Sequence, residues 1–257
     1  VHVEKWYLDC VTPEGAGMIG YAGRIRLGPV TVPCFEMLVW RAGGPVRQSH
    51  TMAGGRLPTA TADEIVWRSN ALKVDGHWWR RGPAIAPTVL HAEAAGEVEW
   101  ACLCPAAQVA VTVDGEPYAG TGYAERLIMT LSPGRLPIRE LRWGRFISVG
   151  QSCVWIQWRG AAERTWCFHN GQAVSAAMPD LLVLTWNGHR LKLDPGTIIR
   201  SGRLADTAFK HAGPLRWLLP ANVRQLRETK WCSRGVLTDA VGREHAGWAI
   251  HEVALFP

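Results

Sequence analysis

The chain has 257 residues, 47% apolar and 19% charged, with 28 Lys+Arg against 22 Asp+Glu for a formal charge of +6. That length and apolar content suffice for one large or two small domains with real cores, and they exclude a disordered chain. No apolar run approaches the roughly 20 residues that a membrane-spanning helix needs.

The sequence opens without a basic segment followed by an apolar one. Its basic residues are spread singly, the tightest groups being Arg80-Arg81 and the stretch from Arg216 to Arg234. Neither stable membrane insertion nor nucleic-acid binding is therefore expected. The 7 Cys lie mostly inside apolar runs, and Cys102-x-Cys104 lacks zinc-site spacing. They read as reduced, buried thiols of a cytoplasmic protein.

Period two dominates the chain. Glu4–Asp9 and the segment from Met18 read as opening strands. Cys34–Trp40 is an apolar run that ends in a Gly-Gly-Pro turn. Ala60–Leu72 is predicted as a helix capped by Thr61 or Asp63. Val98–Trp100 and Gln108–Val113 are β-branched pieces, the second closing on Asp114-Gly115. Strands follow at Tyr123–Leu131, Phe146–Val149, Cys153–Trp158 and Arg164–His169, the last closing on Asn170-Gly171. Leu181–Trp186 runs through Asn187-Gly188 into His189–Leu193. These dipeptides favour the positive backbone angles of tight hairpin turns. A second helix is expected within Ala221–Thr229, and Gly247–Phe256 is again strand-like. The pattern is that of an all-β sandwich or barrel. The domain break is expected near residues 132–150, around Ser132-Pro133-Gly134, giving domains 1–145 and 146–257.

Two stretches carry a resemblance. Glu4-Lys5-Trp6-Tyr7-Leu8-Asp9, with the turn and strand after it, resembles the opening strand of the superfamily of carotenoid 1,2-hydratase (hydroxyneurosporene synthase) and AttH-like proteins. Gly120-Thr121-Gly122-Tyr123-Ala124-Glu125, then Leu141–Phe146 and Val154–Trp158, is similar to a motif region of tocopherol cyclases. The chain departs from both patterns. Arg126-Leu127 stands where the cyclases continue with an acidic residue and Trp-Gly, no His follows the acidic residue as in the hydratases, and Trp-Gly arrives only at Trp143.

The resemblance implies two lipocalin-like (calycin-type) antiparallel β-barrels or half-barrels packed together. It also implies redox-cofactor-free chemistry on a hydrophobic isoprenoid, polyene or polyketide substrate. Cyclisation or isomerisation ranks above hydration because the acidic-His motif is incomplete.

The residues supply their own reading. On an alternating strand Glu125 shares a face with Tyr123, Leu127 and Met129. An apolar setting disfavours an ionised carboxylate and suits a proton donor. The alternative leaves Glu125 in water or paired with an Arg. Glu36, on the face of Cys34, Leu38 and Trp40, is the second carboxylate, and Asp9, which shares parity with Tyr7 and lies close before the turn at Pro13, is either the third or a turn-side cap. Glu252, on the parity of Trp248, Ile250, Ala254 and Phe256, reads equally well as a functional carboxylate or as a structural partner for an Arg.

Tyr7, Tyr123, Trp143, Trp155, Gln157 and His169 are the expected substrate contacts, with indole faces able to steady a developing carbocation. Most of the 14 Trp are expected in the core. His251 and Glu252 fall on opposite faces and cannot form a simple dyad. No metal site is expected because the histidines are scattered, and no cofactor because dinucleotide and P-loop motifs are missing, as is the serine-hydrolase elbow. A non-catalytic lipocalin-like carrier is the alternative to an enzyme, and a scaffold with exposed Trp anchors is a third reading. Nothing in the sequence sets the oligomeric state.

Overall fold

The computed structural model describes residues 2–207 and 224–257. They fall into two compact units, Val1–Leu136 and Pro137–Pro257. Each is built on an antiparallel sheet, and the architecture is all-β and lipocalin-like, of two curled sheets.

In the first unit the strands are β1 (His2–Val11), β2 (Gly17–Leu27), β3 (Val30–Trp40), β4 (Arg47–Thr51), β5 (Thr59–Ala60), β6 (Glu64–Ser69), β7 (Val74–Arg80), β8 (Ile85–Glu93), β9 (Gly96–Val113) and β10 (Glu116–Met129). Their order is β4-β3-β2-β1-β10-β9-β7-β6-β5, with β8 also on β9. The chain ends of this unit thus meet at its centre, where β1 pairs with β10 from Val3↔Met129 to Val11↔Thr121.

The second unit holds β11 (Glu140–Ser148), β12 (Gln151–Arg159), β13 (Arg164–His169), β14 (Gln172–Ala173), β15 (Val183–Trp186), β16 (His189–Leu193), β17 (Thr197–Arg203), β18 (Arg227–Thr238) and β19 (Glu244–Leu255). They run β14-β13-β12-β11-β19-β18-β16-β15, with β17 also on β18. Again the first strand pairs with the last. The division at 145/146 expected from sequence falls inside β11, which pairs along its length with β12 and β19.

The turn chemistry works as the sequence implies. Asp114-Gly115, Asn170-Gly171 and Asn187-Gly188 all take positive φ at both positions (52° and 81°, 49° and 79°, 42° and 78°). That is the requirement of the two-residue hairpin turn.

The helix expected at Ala60–Leu72 is instead the end of β5, all of β6 and one 3₁₀ turn at Asn70–Leu72. Ile65 and Trp67 are fully buried while Arg68 is exposed, a period-two pattern that pairing with β7 enforces. Thr61 does act as a cap. Its Oγ1 accepts the backbone N–H of Asp63 and Glu64 at 3.3 and 3.2 Å, but it opens a strand. Of the helix expected at Ala221–Thr229, residues 221–223 lie outside the described residues, Arg224 and Gln225 are helical, and Arg227–Thr229 begin β18.

Each unit has its own apolar core. In the first it gathers Trp6, Leu8 and Cys10 of β1 with Met18, Phe35, Met37, Trp67 and Trp78. In the second it gathers Phe146, Cys153, Trp155, Cys167, Leu191 and Leu237. Buried indoles are bonded through their N–H where they meet backbone: Trp78 Nε1 donates to the carbonyl of Asp9 at 2.7 Å and Trp67 Nε1 to that of Arg56 at 2.8 Å.

Candidate functional site

Alternation along β1 sends Trp6, Leu8 and Cys10 into the first core and leaves Lys5, Tyr7 and Asp9 on the opposite face. That face is buried too, with Tyr7 2% and Asp9 0% exposed. Register extends it across the sheet. Tyr7 stands opposite Glu125 on β10 and Tyr21 on β2, Tyr21 opposite Glu36 on β3, and Glu125 opposite Cys102 on β9. One row over, Asp9 faces Tyr123. The Tyr7 ring meets those of Tyr21 and Tyr123 edge-on at 5.4 and 6.0 Å.

Glu125 is the centre of this row. Its Oε2 accepts two hydrogen bonds, from Trp100 Nε1 at 2.5 Å and from the Tyr123 hydroxyl at 2.7 Å. All three side chains are buried, Glu125 being 5% exposed. Burial holds the Tyr123 phenol well above its ordinary range, with the neighbouring Cys102 and Glu125 adding to the effect. Burial likewise holds the Cys102 thiol well above its own range, so both stay protonated. Glu36 accepts from Gln48 Nε2 at 2.5 Å. Beside it the Cys34 thiol is pushed up to about 11, first by burial and then by the carboxylate.

The ladder is irregular where β10 buries both faces. Pairing of β10 with β9 is irregular between Gly122 and Ala124 and again between Ala124 and Glu125. The extra residues lie on β9, around Leu103 and around Pro105-Ala106. Proline tolerates such a place because it has no N–H to lend to the ladder. From Ala107 to Val113 the strand alternates buried and exposed, whereas Trp100, Ala101, Cys102 and Cys104 are all buried.

Five of the expected residues, Asp9, Tyr7, Glu36, Tyr123 and Glu125, therefore share one face of the first sheet. Sequence reasoning missed Trp100, Cys102 and Tyr21. Only register links them to Glu125, by way of Tyr7 for Tyr21, and for Trp100 and Cys102 the irregular stretch of β9 hides it.

The other four lie in the second unit, on two faces of its sheet. Trp143 shares a face with Lys230, whose Nζ sits 5.4 Å from the Trp143 ring centre, and with Glu252. Lys230, 1% exposed, is ion-paired to Glu252, and Arg200 holds Glu228 with both carboxylate oxygens at 2.8–3.1 Å. Glu252 thus has a structural partner, but it is the buried Lys230 and not the arginine expected from sequence.

Trp155, on the opposite face, belongs to the apolar core, and Gln157 lies two residues further along the same strand. His169 sits at the end of β13, where its Nε2 is 2.7 Å from Gln151 Oε1 and its ring touches Trp186 and His189. His251 and Glu252 do point apart, His251 bonding Ser233 while Glu252 meets Lys230. Among the described residues no group of three or more His, Cys, Asp and Glu side chains is placed to hold a metal ion.

No family model matches the chain, and no curated protein matches its sequence. Solved structures do. An AttH-like protein from Nitrosomonas europaea superposes with a TM-score of 0.61 at 13% identity, over 97% of this chain and 92% of the other. The chain has that fold. CghA, solved with Sch210972, gives 0.60 at 10% identity over 99% and 88%. Kievitone hydratase from Nectria haematococca gives 0.57 at 11% over 98% and 88%. These neighbours are of the AttH and carotenoid-hydratase-like lipocalin superfamily, the group that the opening strand resembles. Likeness at such identity fixes the fold and leaves the reaction to be argued from the site.

Proposed function

We propose that the protein is a non-redox cyclase, isomerase or hydratase acting on a hydrophobic isoprenoid, polyene or polyketide, with Glu125 as its proton donor. The observation that carries this reading is the buried Glu125 carboxyl with two donors on one oxygen. In this reading the proton is delivered from the Glu125 carboxyl, whose Oε2 Trp100 and Tyr123 hold in place. Protonating an alkene carbon leaves a carboxylate behind, and the same two donors are already aimed at its charge. Such preorganisation needs no reorientation during the reaction. The cation formed on the substrate is steadied by the ring of Tyr7. Asp9 or Glu36 then removes a proton from the neighbouring carbon or, in a hydration, from the attacking water. That one of the fold's neighbours is a hydratase agrees with this class of chemistry.

The test is binding and turnover measured side by side. A panel of polyenes, isoprenoids and linear polyketides is titrated against intrinsic Trp fluorescence, and products are analysed by mass spectrometry, with wild type and Glu125→Gln. The expected result is saturable binding to both proteins, with product formation lowered about 10²- to 10⁴-fold in the variant. Binding without product from either protein would make the first unit a carrier.

A further inference from the structure

The second unit has a cleft that the reaction above does not use. It encloses about 560 Å³ and is walled by Leu182, Val183, Leu193 and Pro195 together with Trp231 and His251. The charged side chains beside it, Asp180 and Lys192, are exposed and of opposite sign. The volume is that of an ordinary small-molecule site, mostly apolar with few polar groups.

His251 is the polar group built into the wall. It is 4% exposed, its Nε2 lies 2.9 Å from Ser233 Oγ, and its ring stacks on Trp231 with centres 5.1 Å apart and planes 16° from parallel. Among the described residues Nδ1 has no hydrogen-bond partner. Burial first, and then the charge of Lys230, push the imidazole down to about 4, so it is neutral at physiological pH. A neutral imidazole has one donor and one acceptor nitrogen, and Ser233 engages only one of them.

We infer that this cleft binds an uncharged, planar aromatic molecule with one hydroxyl or similar group, laid along the Trp231–His251 wall and hydrogen-bonded to His251 Nδ1. The stacked ring pair supplies an aromatic wall, the aliphatic side chains supply the dry remainder, and the charges beside the cleft, Asp180 and Lys192, are of opposite sign. A charged ligand would lose its hydration here without gaining an ion pair.

The test uses 1-naphthol as the probe, with 1-methylnaphthalene and 1-naphthoate as comparators, by calorimetric titration and by nitrogen-15 NMR of the His251 ring. Saturable 1-naphthol binding is expected, about tenfold tighter than that of 1-methylnaphthalene, the value of one net hydrogen bond. The His251 ring signals should shift on saturation. His251→Phe should weaken 1-naphthol to the level of 1-methylnaphthalene. Leu182→Trp, at a half-buried wall position, keeps the Ser233–His251 pair and should abolish binding by filling the cleft. The inference fails if no saturable binding appears up to 1 mM (~4 kcal/mol), or if Leu182→Trp leaves it intact. It also fails if the His251 signals stay fixed on saturation, or if 1-naphthoate binds as tightly as 1-naphthol.

Discussion

Placing two donors on one buried carboxyl oxygen sets the energetics at Glu125. A net hydrogen bond contributes about 0.5–1.5 kcal/mol, and an interior acceptor stripped of a donor costs about 1–3 kcal/mol. Trp100→Phe keeps most of the ring volume and removes the donor at 2.5 Å, and Tyr123→Phe removes the one at 2.7 Å. Each single substitution is expected to lower stability by about 1–3 kcal/mol in urea unfolding. Because the donors share an oxygen, the double variant should depart from the sum of the singles by at least about 0.5 kcal/mol. Strict additivity would mean that the two bonds do not act on a common acceptor. Parity on a single strand was enough to put Glu125 with Tyr123, and Asp9 with Tyr7. It could not find Trp100 or Cys102, since their closeness to Glu125 is a matter of register between strands.

At the scale of the element, the strands that were easiest to read end in hairpin dipeptides. β13 and β16 begin and end where the sequence puts them because Asn170-Gly171 and Asn187-Gly188 dictate the turn. β9 was read as two pieces, because its alternation breaks where the extra residues bend it. β6 was mistaken for a helix because a true capping Thr61 preceded a segment whose strand form depends on pairing with β7. Glycines placed for close approach are just as invisible to periodicity. Gly144 lies directly opposite Trp155 in the β11–β12 ladder, and a Cβ there would stand 2.2 Å from the indole. Its φ is not positive, so Ala in place of Gly would by itself gain about 0.4–1 kcal/mol through the unfolded chain. Forcing Trp155 out of its place in the core costs about 1–3 kcal/mol, and the clash wins. Gly144→Ala is therefore expected to lower the unfolding free energy by about 1–2 kcal/mol. An unchanged or raised midpoint in urea would show that the indole has room to move.

For the whole molecule, the all-β class follows from turn spacing alone, while the lipocalin-like identity needed the opening strand and the Gly120–Glu125 stretch. At 10–13% identity to its structural neighbours, what persists is the fold. The buried ionisable groups have a joint consequence that no sequence pattern showed, namely the pH profile of stability. His251 is held at about 4 against an ordinary 6.5, and His169 is lowered in the same direction by partial burial and by His189 and His245. Between those values the unfolded chain binds protons that the folded one refuses, so stability is complete above about 6.5 and is lost as the pH falls toward 4. His251 alone contributes on the order of 3 kcal/mol across that interval. The thiols act in the opposite sense. Cys34 is raised to about 11 from an ordinary 9.0, and Cys102 and Cys153 are raised well above theirs, chiefly by burial. Above about 9 the unfolded chain releases protons that the folded one keeps, and stability falls as the pH rises. The expected urea midpoint is thus a plateau between about pH 6.5 and 8.5 that declines on both sides. His251→Phe should flatten the acid limb relative to the plateau and leave the alkaline limb as it was. If the acid limb keeps its slope in that variant, His251 is not the group that sets it, and the decline belongs to the carboxylates.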